Sequence, residues 1–216
     1  MAPTRLVVLI SGSGSNLQAI IDACKSGYIQ GEIAAVVSNK ADAYGLTRAQ
    51  EAGIATSVLD HKQYTSRDEY DAALGQLIDS FTPDLVVLAG FMRILTPNLV
   101  QKFRGKMLNI HPSLLPKYQG LNTHQRAIDA NDAEHGASVH FVTEELDGGP
   151  VVCQAKVAIL PDDTAESLAQ RVHKQEHILY PLVVKWFSEQ RLTMEADYAV
   201  FDNKTLPVQG TPYPEK

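Results

Sequence analysis

Apolar residues in this chain collect in short unbroken runs separated by stretches of helical period. Leu6 to Ile10 (LVVLI), Ala34 to Val37 and, after its leading aspartate, Asp84 to Ala89 (DLVVLA) are runs of the first kind; Met107 to Ile110 is another, interrupted only by Asn109, and Ala55 to Leu59 (ATSVL) reads as a short strand. A strand covered on both faces needs apolar side chains at consecutive positions, the situation in a parallel sheet. Between them, Leu17, Ile20, Ile21 and Cys24 recur at helical spacing, and the segments from about Tyr44 to Ala52, Ser66 to Phe81 and Pro97 to Phe103 also read as helices. The alternation predicts an α/β protein, a mostly parallel open sheet with helices on both faces and a Rossmann-like N-terminal half. Further on come a helix from Thr123 to about Asn131, an alternating strand from Ala137 to Val142 and a strand from Val151 to Ile159. Val139 and Phe141 fall on one face of the alternating strand; Ser138, His140 and Val142 fall on the other. Asp163-Thr164-Ala165-Glu166 then caps a long helix with Leu168, Val172, Leu179, Leu182, Val183 and Trp186 on its apolar stripe. A short hairpin turning at Asp202-Asn203 and a Pro-rich tail end the chain. No repeat and no interdomain linker interrupts it, so one domain over residues 1–216 is expected.

The candidate chemistry sits where these runs break. Ser11-Gly12-Ser13-Gly14-Ser15-Asn16 joins the first strand to the first helix, where backbone N–H groups and the helix dipole converge on an anion. The dinucleotide fingerprint is incomplete, with Leu17 at its third glycine position and Ser38-Asn39-Lys40 after the next strand. A single phosphate therefore suits this turn better than NAD or ATP, and a tight turn without a ligand remains open. Ser66-Arg67-Asp68-Glu69 reads as a capping box, with Arg67 at the first helical position, where a cation opposes the dipole. That conflict is compatible with a function for Arg67 or with an ordinary exposed arginine. Gly90-Phe91-Met92-Arg93-Ile94-Leu95 is an apolar loop, either a pocket wall or a segment packed under its neighbours.

The strand from Met107 ends at His111 because Pro112 has no N–H and a fixed φ. Asn109 and His111, two residues apart, project from one face at a strand's C-terminal edge, where open α/β sheets place ligands. Asp147 lies in the carboxylate-rich loop from Thr143 to Pro150, before a glycine pair, where turn chemistry alone can also account for it. Glu176 falls at the edge of the long helix's stripe and either points at a polar site or reaches solvent. His173 and His177 are spaced i,i+4 with no nearby third ligand, no H-E-x-x-H is present, and no G-x-S-x-G elbow supplies a serine nucleophile. An amide, an imidazole and a carboxylate without a nucleophile fit direct transfer between two bound substrates. Asparagine stabilises an oxyanion, histidine holds or moves a proton, and aspartate orients the histidine and favours its charged form.

Composition narrows the classes. A net charge of −6 over 216 residues argues against nucleic acid, which demands a basic footprint. Cys24 and Cys153 form neither a C-x-x-C nor a disulfide framework, and the apolar run near the N-terminus is too short for a signal or a membrane span. A cytosolic protein without membrane or metal is expected.

The stretches VVLISGSGSNLQAIIDA, VVLAGFMRIL, LNIHPSLLPKY, HGASVHFVTEELDGGP and QEHILYPLV together give the chain a close resemblance to the phosphoribosylglycinamide formyltransferases, folate-dependent enzymes of purine synthesis. The resemblance implies a formyltransferase-type fold and transfer from 10-formyltetrahydrofolate, as co-substrate, to the amine of glycinamide ribonucleotide. It implies that Asn109, His111 and Asp147 are catalytic, that Gly14, Ser15 and Asn16 bind the phosphate, and that Glu176 lies near the amine. Met92, Arg93, Ile94, Leu95 and the loop beginning at Thr143 would line the folate site, with Arg67 at its benzoyl-glutamate tail. It also implies a cis Leu115-Pro116 bond. The chain departs from the family's pattern at Gln119, where proline is common, and at Asn122, where histidine is frequent. Two relatives share the Asn-x-His…Asp set: the formyltetrahydrofolate hydrolases, with an added N-terminal regulatory domain, and the methionyl-tRNA formyltransferases, with a further domain and basic surface for tRNA. A short acidic chain fits neither; a phosphate-ligand sensor on the same scaffold is the rival from outside enzymology. The sequence is silent on oligomeric state.

Overall fold

A computed structural model describes residues 2–213, which form two compact units, residues 2–109 and 110–213. The first unit contains β1 (Thr4–Ile10), α1 (Ser15–Lys25), β2 (Gly31–Ser38), α2 (Tyr44–Glu51), β3 (Thr56–Val58), α3 (Arg67–Ser80), β4 (Leu85–Leu88) and α4 (Pro97–Lys102). The division falls inside β5 (Met107–His111). Strands of this unit stand in the order β5-β4-β1-β2-β3, all parallel. Leu6 to Ile10 and Leu85 to Val87 have no solvent exposure, as runs covered on both faces require. Burying each large aliphatic side chain contributes about 1.5–3 kcal/mol before the entropic cost of ordering it.

The second unit holds α5 (Thr123–Asp129), β6 (Glu134–Phe141), β7 (Val151–Ala158), α6 (Ala165–Ser188), β8 (Leu192–Glu195), β9 (Tyr198–Phe201), β10 (Lys204–Thr205) and β11 (Thr211–Pro212). β6 pairs antiparallel with β7, and β11 pairs parallel with β7 on the outer side. A small antiparallel sheet has the order β10-β9-β8. The mostly parallel sheet with connecting helices, the long C-terminal helix and the hairpin at Asp202-Asn203 follow the sequence pattern. Both turn residues have positive φ, 49° and 62°, as a two-residue hairpin turn of the type I′ kind requires.

Local details differ from expectation in instructive ways. Ser66 does cap α3 by accepting from the Glu69 N–H, but Glu69 returns its carboxylate to the N–H and hydroxyl of Thr65. The capping box at α6 is closed by Thr164 and Ser167, because Asp163 is taken up by Arg171. Leu182 lies at the margin of the α6 stripe, half-buried, while Tyr180 and Pro181 are buried. The tail contributes strand β11, and its last residues, 214–216, lie outside the described part.

Polar residues on β6 are buried as well, since nearly the whole strand is covered on both faces. Ser138 shows how this is tolerated. Its hydroxyl donates to the Ser113 carbonyl at 2.6 Å and accepts from the Leu115 N–H and from Gln154. Gln154 also donates to the Leu115 carbonyl at 2.7 Å. These bonds replace the ladder that Pro112 ends, and they fix the path of residues 113–115 into the cis Leu115-Pro116 bond.

Candidate functional site

In the second unit, β5 delivers His111 to the start of this pinned segment, and the β6–β7 connection delivers Asp147. Both side chains are more than nine-tenths covered, and His111 Nδ1 lies 3.4 Å from Asp147 Oδ2. The other ring nitrogen, Nε2, lies 2.8 Å from the Tyr118 carbonyl oxygen. An oxygen that can accept a hydrogen bond thus faces each ring nitrogen. Asp147 is held in turn: its Oδ2 accepts from the Gly120 N–H at 2.9 Å, and its carbonyl accepts from the Gln119 side chain at 3.3 Å. Asp147 itself adopts φ 50°, a left-handed conformation in which aspartate is among the better-tolerated residues. One strap, Tyr118 to Gly120, therefore touches both members of the pair.

The two departures from the family's pattern lie in or beside this strap and find local explanations. Gln119 ties to Asp147 through its amide, and its carbonyl accepts from Arg126 at 2.7 Å. Asn122 is the N-cap of α5 with φ 57°, where asparagine is favoured over most side chains.

In the sequence His140 is only one of several scattered histidines. In the fold it is buried, with Nε2 3.9 Å from Asp147 Oδ1 and Nδ1 3.0 Å from the Phe141 carbonyl. Burial holds its ring well below the ordinary imidazole range, against the opposing pull of Phe141 and Asp147. A second histidine group lies beside the strap. His124 Nδ1 is 3.1 Å from His135 Nε2, and burial followed by the His124 charge pushes His135 down to about 4. Glu176 is buried on α6, 3.9 Å from His173 Nε2. Of the i,i+4 pair His173 and His177, the first is thus engaged with Glu176. Among the described residues no three His, Cys, Asp or Glu side chains are grouped to hold a metal.

The first unit carries the glycine-rich turn and the 90–95 loop. Gly14 is the N-cap of α1, with φ 70°, and a Cβ there would lie 2.6 Å from Gly45 Cα. Gly45, at the start of α2, donates its N–H to the Gly12 carbonyl at 3.0 Å, and a Cβ on it would strike Ile10. Two glycines thus let the turn and α2 touch backbone to backbone; the second carries no local signal in the sequence. Arg48 also rests on the turn, donating from Nε to the Ser13 carbonyl at 2.8 Å. Ser15 and Asn16 open α1, in the first turn, whose N–H groups have no intrahelical acceptor.

The 90–95 loop divides between the two readings left open for it. Phe91 is buried, whereas Met92 and Ile94 are 65% and 57% exposed. Polar bonds hold its backbone at alternate residues. The Met92 N–H donates to Ser11 Oγ at 2.8 Å, Arg67 donates to the Ile94 carbonyl at 2.6 Å, and the Thr96 N–H donates to Asp71 at 2.6 Å. Arg67, at its unfavourable first helical position, is therefore bonded to this loop. Arg93 stacks its guanidinium 4.7 Å from the centre of the buried Tyr70 ring. Asn109 pairs through β5 with Leu88 and is half-buried. Thr143 is half-buried at the start of its loop, and Leu95 is half-buried in its own.

Residues 4–184 match the formyl transferase family. A phosphoribosylglycinamide formyltransferase of Escherichia coli (strain K12) is 58% identical over 205 residues, covering 95% of this chain and 97% of its own. Its namesake from Haemophilus influenzae is 56% identical over 206 residues, again covering 95% and 97%. Among solved structures, phosphoribosylglycinamide formyltransferase from Coxiella burnetii superimposes with a TM-score of 0.94 at 52% identity, covering 98% of this chain and all of the other.

Proposed function

From the premise that the chain belongs to the formyl transferase family, we propose that it moves the formyl group of 10-formyltetrahydrofolate to the primary amine of glycinamide ribonucleotide, a step of purine biosynthesis. The names and full-length coverage of the relatives support this choice of substrates. The observation that carries the chemistry is the buried His111–Asp147 pair, 3.4 Å apart, with acceptors at both ring nitrogens.

The neutral amine attacks the formyl carbon directly. A C–N bond forms, and the carbonyl π electrons move to oxygen. Asn109 donates a hydrogen bond to that oxyanion, and the positive charge of the His111 imidazolium stabilises it. Asp147 balances the imidazolium and fixes the plane of its ring. When the tetrahedral centre collapses, the bond to the folate nitrogen breaks, and the proton lost by the attacking amine ends on that nitrogen, with water as carrier. Formylated ribonucleotide and tetrahydrofolate leave, and no acyl-enzyme forms. In this assignment Gly14, Ser15 and Asn16 hold the phosphate through first-turn N–H groups, and Glu176 faces the amine. Arg67, Met92, Arg93, Ile94, Leu95 and Thr143 receive the folate. The scheme uses no metal ion. The reading includes a cytoplasmic location and no nucleic-acid or membrane partner; the charge of −6 disfavours a polyanionic partner.

The test follows donor absorbance with and without the ribonucleotide. Loss of formyl-folate that requires the ribonucleotide supports transfer. Equal loss in its absence indicates a hydrolase, and ribonucleotide binding without turnover indicates a sensor; either result removes the proposal.

A further inference from the structure

The parallel strands β2, β1 and β4 lie side by side, and all three end at the same sheet edge. Backbone pairing of β1 with the β4 end stops at the Ala89 N–H bonded to the Leu9 carbonyl, 2.9 Å. Beyond it the chains diverge into the glycine-rich turn, the Ser38-Asn39-Lys40 bend and the 90–95 loop. A single hydroxyl joins the three. Ser11 Oγ donates to Asn39 Oδ1 at 2.6 Å and accepts from the Met92 N–H at 2.8 Å. Ser11 and Asn39 are both buried, 5% and 2% exposed.

The chemistry of this relay is directional. A backbone N–H can only donate, so the Met92 contact commits an Oγ lone pair. The hydroxyl proton is then free to go to Asn39, whose carbonyl oxygen fixes the rotor. The relay matters because Met92 and Ile94 turn their side chains to solvent, so that beyond the buried Phe91 the loop is held by polar bonds to its backbone. We infer that Ser11 is a positioning residue for the formyl donor: its hydroxyl, aimed by Asn39, holds the loop proposed to receive the folate in register with the turn proposed to receive the phosphate. The inference rests on the proposed assignment of residues 92–95 to the folate.

Removing the hydroxyl leaves the Met92 N–H and the Asn39 oxygen without their partner, a loss of the size that changes a binding constant about tenfold. For Ser11→Ala the expected result is a donor KM raised about 5- to 20-fold, with kcat at saturation of both substrates within about threefold of wild type. The KM of the ribonucleotide should move far less. Ser11→Thr, which keeps the hydroxyl, should return the donor KM toward wild type. A purely structural role predicts instead an apparent kcat that falls with the fraction folded while both KM values stay unchanged, and an unchanged donor KM overturns the inference. Should Ser11→Ala not fold, Asn39→Ala takes its place, with a smaller rise in donor KM expected because the hydroxyl loses only its guide. On wild type alone, amide exchange at Met92 must be slow despite its exposed side chain; rapid exchange sinks the idea. Equilibrium binding of formyl-folate separates the two levels. Wild type that does not bind it ends the functional assignment and this inference together, whereas equal binding by wild type and Ser11→Ala ends the inference alone.

Discussion

Asp147 reaches His111 while bonded, through the same carboxylate oxygen, to the Gly120 N–H, so the acid that faces the imidazole is held by a backbone donor. Asp147→Asn keeps an acceptor for that donor and removes the charge. Turnover should fall by about 10²–10⁴-fold with melting temperature nearly unchanged, and His111→Ala should do the same. Steady-state rates beside thermal melts decide it; near-normal rates in folded variants would remove the pair from the mechanism.

Asn109 is assigned an interaction that matters in the transition state more than in the ground state. Asn109→Ala should therefore lower kcat by about 10²–10³-fold with little change in either KM. A large rise in KM at constant kcat would make it a binding residue instead.

Gly14 combines φ 70° with a 2.6 Å approach of its missing Cβ to Gly45. Gly14→Ala must strain the backbone and push α2 off the turn, a cost of roughly 1–3 kcal/mol. Chemical denaturation should register that loss, and the ribonucleotide KM should rise more than the donor KM. A variant as stable as wild type, with unchanged KM, would contradict both the packing argument and the phosphate assignment.

His135 predicts the acid limb of stability. Burial and the neighbouring His124 hold it at about 4, against an ordinary 6.5. Between those values the unfolded chain binds the proton that the folded chain refuses, so stability falls as pH falls through this window. His124, lowered for the same first reason, acts in the same sense. Urea midpoints between about pH 7 and pH 4.5 should drop by the equivalent of roughly 1–3 kcal/mol, and His135→Gln should flatten that slope. A slope unaffected by the substitution would assign the acid sensitivity elsewhere.

What the sequence makes legible follows from how local each signal is. β1, β4 and β5 are evident because strands covered on both faces need consecutive apolar residues, and Pro112 marks where β5 must stop. The expectation that Asn109 and His111 share a face comes from strand period alone. The approach of Asp147 to His111 depends on a loop path that spacing does not encode, and only the resemblance brings Asp147 forward. Burial of Ser138 and His140 on β6 is hidden, since polar residues on an alternating strand ordinarily face water. Their partners, Gln154, Ser113 and the Phe141 carbonyl, include groups remote in sequence or on the backbone. Gly45 gives no signal because the residue it must avoid, Gly14, is distant along the chain, and Ser11 gives none because a hydroxyl's partners are invisible until three strands lie side by side. β11 is hidden by prolines in a tail that reads as unstructured.

That last strand has a practical consequence. By pairing with Cys153 and Gln154, Thr211 and Pro212 cap the outer margin of β7, whose hydrogen-bonding groups would otherwise form an open template for another molecule. Trimming the polypeptide before residue 210 would bare that rim and favour self-association on concentration.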